Sequence, residues 1–177
     1  MGGSYFLIVL EHELVCWLII LSPRVLVMYD TITGNTEKLA QAISEGIKQV
    51  AGITVELKRT EEVSNQDVIS SDGYAIGSPS HFCIMSGKIL ALLTQLYVFR
   101  HDMVGKPFAV FTTGTGGQVV ALENIDRIIG VFNPTFVKPG VTMETAPGRA
   151  NPWEIDEEQA KVLGRKLGRA VKRQLKE

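Results

Sequence analysis

The sequence predicts an α/β protein built on a doubly wound, five-stranded parallel sheet with strand order 2-1-3-4-5. Strand and helix patterns alternate from Arg24 onwards, which is the rhythm of a parallel sheet covered by helices on both faces. The strand segments are continuous apolar runs, as at residues 25–28, and strands buried on both faces have this composition. A chain of 177 residues without internal repeats is normally a single domain.

Each predicted element has a local signal. The first strand, residues 24–29, is followed by a helix at residues 36–50 that carries Leu39, Ile43 and Ile47 at helical spacing. A strand follows at residues 54–58, and a polar segment, residues 61–71, has room for one or two turns of helix. The remaining strands are expected at residues 73–77, 108–112 and 135–141, and the remaining helices at residues 86–97, 119–130 and 156–175.

The segment between the first strand and the first helix has the composition of a phosphate-binding loop. Backbone N–H groups at the start of a helix lack intrahelical partners and lie at the positive end of the helix dipole, so they bind an anion without a lysine. Thr31, Thr33 and Thr36 add hydroxyl donors, Gly34 permits a tight turn, and Asn35 tolerates a left-handed conformation. The alternative is an ordinary strand-to-helix turn capped by Thr or Asn.

Two other phosphate-binding motifs are excluded. The sequence contains no G-x-x-x-x-G-K-[ST] motif, so the nucleoside-triphosphate loop, with its lysine and adjacent hydroxyl, is missing. The dinucleotide fingerprint G-x-G-x-x-G fails because Gly34 stands alone after the first strand. ATP chemistry is therefore not expected.

Three segments together resemble the flavin loops of the flavodoxin superfamily. The pattern Thr31-x-Thr33-Gly34-Asn35-Thr36 resembles its FMN-phosphate loop. Residues 77–88 resemble the loop along the pyrimidine edge of the flavin, in the version found in NAD(P)H:quinone reductases related to the tryptophan-repressor-binding protein. Residues 112–118 resemble the third flavin loop of that group.

The resemblance covers residue 24 to the C-terminus and implies non-covalently bound FMN. The first loop would hold the phosphate and the other two would embrace the ring, with Phe82 as the aromatic residue placed to contact it. His81 would donate to a flavin carbonyl, bind a substrate's charge, or simply be solvated. No catalytic residue is assigned. The cofactor-binding residues implied are Thr31, Ile32, Thr33, Gly34, Asn35, Thr36, Pro79, Ser80, His81, Phe82, Cys83, Ile84, Thr112, Thr113, Gly114, Thr115, Gly116 and Gly117.

The predicted topology places the site without reference to the family. In open parallel sheets the ligand lies beyond the carboxyl ends of the strands, where the winding direction reverses. Here that point falls between the first and third strands. The three loops leave the carboxyl ends of the first, third and fourth strands, so motif and topology indicate one crevice.

Two functions, both using FMN, follow from the resemblance. The first interpretation is an enzyme that reduces a quinone or similar acceptor with electrons from NAD(P)H; the alternative is a flavodoxin-type carrier of single electrons between redox partners. The formal net charge of −1 gives weak long-range steering, whereas carriers of this type are typically strongly acidic. Residues 112–118 contain no aromatic residue, which leaves one ring face open for a nicotinamide or quinone. Both observations favour the reductase.

The loop between the third strand and the following helix predicts how many electrons move at once. A carrier flavodoxin accepts a single electron with the help of a peptide flip that a glycine makes inexpensive, but Phe82, Cys83 and Ile84 include no glycine. Because a non-glycine residue at positive φ costs about 1–2 kcal/mol, we expect these residues to resist that conformation. The sequence therefore predicts transfer of two electrons together.

Composition excludes several other classes. The near-neutral net charge argues against a nucleic-acid surface, and the basic residues of the last helix form the solvated face of an amphipathic helix. The 2 cysteines, Cys16 and Cys83, form no disulfide framework, so a reducing, cytoplasmic compartment is expected. The 3 histidines lie far apart without metal-ligand spacing, so no metal site is expected. A homo-oligomer is possible.

The apolar N-terminal extension, residues 1–23, is expected to be separate from the FMN-binding domain at residues 24–177. Its two apolar runs are interrupted by Glu11, His12 and Glu13, and neither approaches the roughly 20 residues that a transmembrane helix requires. A secretory signal also fits poorly, because no positive residue precedes the apolar run. We expect a strand or helix packed on the domain; an oligomer contact and a start codon placed too far upstream are the alternatives.

Overall fold

A computed structural model describes residues 22–146 and 153–176. Its centre is a parallel sheet in which strand β1 (Arg24–Tyr29) pairs with β2 (Thr54–Arg59) on one side and with β3 (Gly73–His81) on the other. Strand β5 (Pro107–Gly114) pairs in parallel with β3. The predicted doubly wound α/β fold is thereby confirmed, and the direction of winding reverses between β1 and β3.

The remaining elements alternate with these strands as expected. The helices predicted at residues 36–50, 86–97, 119–130 and 156–175 are present, with bounds that differ by no more than about three residues, and the polar segment 61–71 contains one short helix. The short helix Arg100–Met103 and the short strand Ile84–Met85 were not predicted. The helices are α1 (Asn35–Lys48), α2 (Asn65–Ile69), α3 (Gly87–Leu96), α4 (Arg100–Met103), α5 (Gln118–Ile129) and α6 (Trp153–Gln174), and the short strands are β4 (Ile84–Met85), β6 (Thr135–Phe136) and β7 (Val141–Glu144).

The predicted fifth strand is divided in two. The prediction of one strand at residues 135–141 is wrong, because β6 pairs with the beginning of β5 and β7 pairs with its end, with residues 137–140 looping out between them. Pro139 lies in this interruption and has no N–H to donate to a neighbouring strand. The split leaves β7 beside residues 111–114 of β5, next to the edge where the candidate site lies.

The third strand also departs from the prediction, since it runs on to His81 instead of ending at Gly77. Its last two residues form an antiparallel pair with β4, in which His81 lies opposite Ile84. The segment predicted as a loop is therefore a tight hairpin standing on the carboxyl end of β3.

Two hydrophobic cores lie on the two faces of the sheet. One contains Leu39 and Ile43 of α1 with Leu163 and Leu167 of α6, and the other contains residues of α3 and α5. Helices α1 and α6 approach so closely that a Cβ on Gly46 would lie 2.1 Å from the carbonyl oxygen of Lys161. This close packing fixes the position of α1, whose N-terminus carries the predicted phosphate loop.

The expectations for residues 1–21 lie outside the described residues. Ser22 and Pro23 are described, and the carbonyl of Pro23 accepts a hydrogen bond from the backbone N–H of Thr54 at 2.9 Å. Within residues 22–146 and 153–176, no helix is both long and apolar enough to cross a membrane.

Candidate functional site

The first loop, residues 30–35, enters α1 without a side-chain cap. The residue before the helix is Gly34, in the left-handed conformation with φ of +83°, and no side chain makes a capping hydrogen bond there. In the part of the chain that the structure describes, the backbone N–H groups of Ile32, Thr33, Asn35 and Thr36 donate to no protein acceptor. The ordinary capped turn, the alternative left open by the sequence, is therefore not what this loop forms.

The loop's hydroxyl groups are arranged as acceptors towards the protein. Thr31 Oγ1 accepts from the backbone N–H of Gly34 at 3.0 Å, and Thr33 Oγ1 accepts from the side-chain amide of Asn35 at 3.1 Å. Each hydroxyl thus keeps its own hydrogen for a ligand. The unpaired N–H groups at a helix N-terminus, together with these hydroxyls, fit the phosphate of FMN.

Thr36 differs from the other two threonines. It is 1% exposed, and its Oγ1 lies 2.8 Å from Oγ1 of Thr113, at the carboxyl end of β5. Thr113 is itself 3% exposed. This buried hydroxyl pair joins the phosphate loop directly to the strand that leads into the third flavin loop.

The second loop, residues 79–84, contains a two-residue turn at Phe82 and Cys83. Both have positive φ, +50° and +65°, as a two-residue hairpin turn of the type favoured by right-twisted strands requires. The expectation that these residues resist positive φ is wrong: pairing of His81 with Ile84 imposes the conformation despite its local cost. Phe82 is fully exposed at the tip.

The third loop contacts the hairpin through its residues 114–117. A Cβ on Gly117, which has φ of +71°, would lie 2.4 Å from Sγ of Cys83. The side-chain amide of Asn124 donates to the carbonyl of Cys83 at 3.3 Å, and the hydroxyl of Ser80 donates to the carbonyl of Gly116 at 3.4 Å. The hairpin and the third loop therefore form one contiguous unit.

Strand pairing brings all the predicted site residues to one edge of the sheet. Pro79 lies opposite Thr113 in the pairing of β3 with β5, and the backbone N–H of Asp30 donates to the carbonyl of Gly77 at 3.1 Å. The hydroxyl of Thr112 donates to the carbonyl of Gln118 at 2.7 Å, which fixes both ends of the third loop. Sheet topology alone predicts this convergence.

Charged side chains beside the phosphate loop are paired. Glu37, in the first turn of α1, accepts from the Tyr29 hydroxyl at 3.0 Å and from Arg59 at 3.1 Å. Burial raises the pKa of the Tyr29 phenol above its ordinary value, so this group stays protonated and donates. The buried carboxylate of Asp30 lies 3.8 Å from the ammonium of Lys88. The N–H groups without a protein acceptor are thus flanked by two carboxylates, each of which is paired with a cationic side chain.

Asn124, which contacts the hairpin, was not predicted from the sequence. Asn124 is found only through its place on α5, about two turns after Gly117. Trp153, the first residue of α6, packs against one core and lines a cleft of about 200 Å³ with Asn35 and Lys38. Helical periodicity from the third loop would have indicated Asn124; nothing local indicates the cleft.

Comparison with known proteins identifies relatives of this chain. The sequence model of the flavodoxin family matches residues 27–129, a span that contains all three loops. A flavodoxin of Aquifex aeolicus is 44% identical over 158 residues, which are 84% of this chain and 84% of that protein. An NAD(P)H dehydrogenase (quinone) of Solidesulfovibrio magneticus is 30% identical over 128 residues, 56% of this chain and 63% of that protein.

A solved structure supports the fold. A flavodoxin from an archaeon superposes with a TM-score of 0.73 at 21% identity, covering 84% of this chain and 99% of that one. The family model spans the three loops at the carboxyl edge of the sheet, and the Aquifex flavodoxin is 44% identical to this chain. This chain belongs to the flavodoxin family.

Proposed function

We propose that the protein is an FMN-dependent carrier that passes single electrons between redox partner proteins. The observation that carries the proposal is the uncapped start of α1, where Gly34 is in the left-handed conformation and four backbone N–H groups have no acceptor among the described residues. When bound, FMN supplies a ring that exchanges electrons. The family match and the Aquifex relative support this function over quinone reduction.

The residues of the three loops would divide the work of holding FMN. The four N–H groups without a protein acceptor and the hydroxyls of Thr31, Thr33 and Thr36 would bind the phosphate, which needs no lysine because the helix dipole supplies positive potential. The exposed aromatic ring of Phe82 and the backbone of residues 112–117 would contact the flavin ring. We assign the cofactor-binding domain to residues 24–177 and treat residues 1–23 as an extension outside it.

The hairpin geometry removes one objection to single-electron transfer. Phe82 and Cys83 have positive φ in the structure, so their backbone cost is met by the hairpin and by its contacts with Gly117 and Asn124. The prediction of two-electron transfer assumed that residues 82–84 resist positive φ. That assumption fails for Phe82 and Cys83, whereas the β-branched Ile84 does not have positive φ.

Reduction of a quinone by NAD(P)H is the second candidate. It is favoured by the relative from Solidesulfovibrio magneticus and by the third loop, which has no aromatic side chain between residues 112 and 118 to cover the ring. Such a face would allow a nicotinamide to stack. Near-neutral net charge also fits an enzyme with a small-molecule acceptor better than a carrier steered by charge.

Anaerobic mixing with nicotinamides separates the two candidates. The FMN-loaded protein is mixed with NADH or NADPH, with and without a quinone, and flavin absorbance is followed; dithionite serves as the control that the flavin is reducible. A carrier is reduced by dithionite but, with either nicotinamide, no faster than free FMN. Rapid bleaching by NADH or NADPH, followed by turnover with the quinone, would establish the reductase instead.

A further inference from the structure

We infer that Thr113 is a positioning residue for the cofactor's phosphate, acting through the hydroxyl of Thr36; the inference rests on the proposed binding of FMN. The two Oγ1 atoms are 2.8 Å apart and belong to residues that are 1% and 3% exposed. They are separated by 77 positions in sequence, so the pair is a product of the fold and not of a local turn.

The direction of this hydrogen bond depends on what lies at the start of α1. Either hydroxyl can donate to the other. When Thr36 donates its hydrogen to an anion, its oxygen becomes the acceptor, and Thr113 must donate to it. In the described residues the Thr113 side chain has no other hydrogen-bond partner, so its hydrogen is available for this purpose. A donor held by a second donor is polarised and oriented before the ligand arrives.

The hydroxyl oxygens of the other two loop threonines also accept a hydrogen bond from the protein. Thr31 Oγ1 accepts from the backbone of Gly34, and Thr33 Oγ1 accepts from Asn35, so each of these oxygens is satisfied as an acceptor and keeps a hydrogen to give. Thr36 has no such partner within the loop and depends on Thr113 instead. All three hydroxyls then present hydrogens while their oxygens are held by the protein.

The position of Thr113 gives the pair a second consequence. Thr113 lies opposite Pro79 in the pairing of β3 with β5 and immediately precedes Gly114, where the third loop begins. The bond therefore fixes the spacing between the phosphate loop and the loops proposed to hold the ring. A ligand that carries both a ring and a phosphate gains from this spacing, whereas riboflavin gains little.

The test compares FMN with riboflavin by quenching of flavin fluorescence on binding. Thr113→Val removes the donor while keeping the shape, and should lower the affinity for FMN relative to riboflavin by about two- to tenfold, the value of one net hydrogen bond. Thr113→Ser, which keeps the hydroxyl, should restore the wild-type ratio. Thr112→Val is the contrast: its hydroxyl fixes the third loop through Gln118, so its loss should weaken both ligands alike.

A double-mutant cycle identifies the route. If Thr113 acts through Thr36, adding Thr113→Val to a Thr36→Val variant leaves the ratio of the two affinities unchanged. An unchanged ratio in Thr113→Val, or an equal loss of both ligands, overturns the inference and leaves a merely structural pair. Wild-type protein that binds riboflavin as tightly as FMN would instead overturn the proposed function itself. If Thr113→Val does not fold, Thr36→Val is compared with Thr36→Ser to show whether the hydroxyl at position 36 selects the phosphate. An FMN-to-riboflavin affinity ratio that is the same in these two variants also overturns the inference.

Discussion

Replacing Gly117 by alanine tests how the hairpin is held over the third loop. Gly117 has φ of +71°, and a Cβ there would lie 2.4 Å from Sγ and 2.9 Å from Cα of Cys83. Left-handed backbone costs a non-glycine residue about 1–2 kcal/mol, and overpacking adds about 1–3 kcal/mol. We expect Gly117→Ala to lower the free energy of unfolding by about 2–5 kcal/mol.

Two other loop glycines provide matched controls. A Cβ on Gly34 meets open space, but its φ is +83°, so Gly34→Ala should cost only the backbone term of about 1–2 kcal/mol. A Cβ on Gly116 also meets nothing, and its φ is not in the left-handed region, so Gly116→Ala should be neutral or stabilise by up to about 1 kcal/mol. The order of stability should be Gly116→Ala, then Gly34→Ala, then Gly117→Ala.

Urea unfolding followed by circular dichroism, with the flavin removed, measures these differences at equilibrium. Cys83→Gly removes the contact with Sγ but not that with Cα, and it also relieves the positive φ of Cys83. It is therefore made in both backgrounds: it should stabilise Gly117→Ala more than it stabilises the wild type, and restore only part of the stability that Gly117→Ala loses. A Gly117→Ala variant as stable as Gly116→Ala would refute the close packing of hairpin and loop.

Three further predictions concern the phosphate loop, pH and the N-terminus. Replacing Thr33 and Thr36 together by Ala should weaken FMN binding by tens-fold or more in calorimetry, because each hydrogen bond to a charged group is worth about 1.5–3 kcal/mol. Riboflavin binding, measured by the same calorimetry, should be nearly unchanged. Equal losses for both ligands would contradict the phosphate assignment. Burial raises the pKa of Asp67, but hydrogen bonds, the largest from Lys58, outweigh it and lower the pKa to about 2. Because the folded-state pKa is depressed, this carboxylate contributes up to about 2 kcal/mol of stability above pH ~4, and this contribution is lost as the pH falls towards 2. The difference in unfolding free energy between wild type and Asp67→Asn should therefore shrink as the pH is lowered from about 4 to about 2. A constant difference would show that ionisation of Asp67 is not involved. Deleting residues 1–21 should leave FMN affinity intact because every site residue lies beyond Arg24, and a folded truncated protein that loses FMN would place that segment in the site.

The sequence predicted those parts of the site whose signals are local. Gly34 was expected to permit a tight turn and does so at φ of +83°, whereas Asn35, which was expected to tolerate a left-handed conformation, begins α1 instead. The convergence of the three loops also followed from sequence, because parallel strands present their carboxyl ends at one edge of the sheet. These features depend on short segments and on topology, both of which leave a pattern in the chain.

Other parts of the site depend on contacts between distant residues. Positive φ at Phe82 and Cys83 is imposed by pairing with β4 and by the surface of Gly117, and no residue type at those positions announces it. The pair of Thr36 and Thr113 spans 77 positions. For the same reason the expectation that Phe82 and Cys83 resist positive φ was wrong: it applied a local backbone cost where tertiary structure had already met it. Transfer of two electrons together, which was inferred from that expectation, stays a prediction.

A reductive titration of the FMN-loaded protein tests most directly whether the protein carries single electrons. Dithionite is added in small steps under anaerobic conditions, and the potential and the visible spectrum are recorded at each step, so that the electrons taken up per flavin can be counted. A carrier of single electrons should be reduced in two resolved one-electron steps, with one FMN per chain. Reduction in a single two-electron step, with both electrons taken up at one potential, would contradict the proposed single-electron carrier.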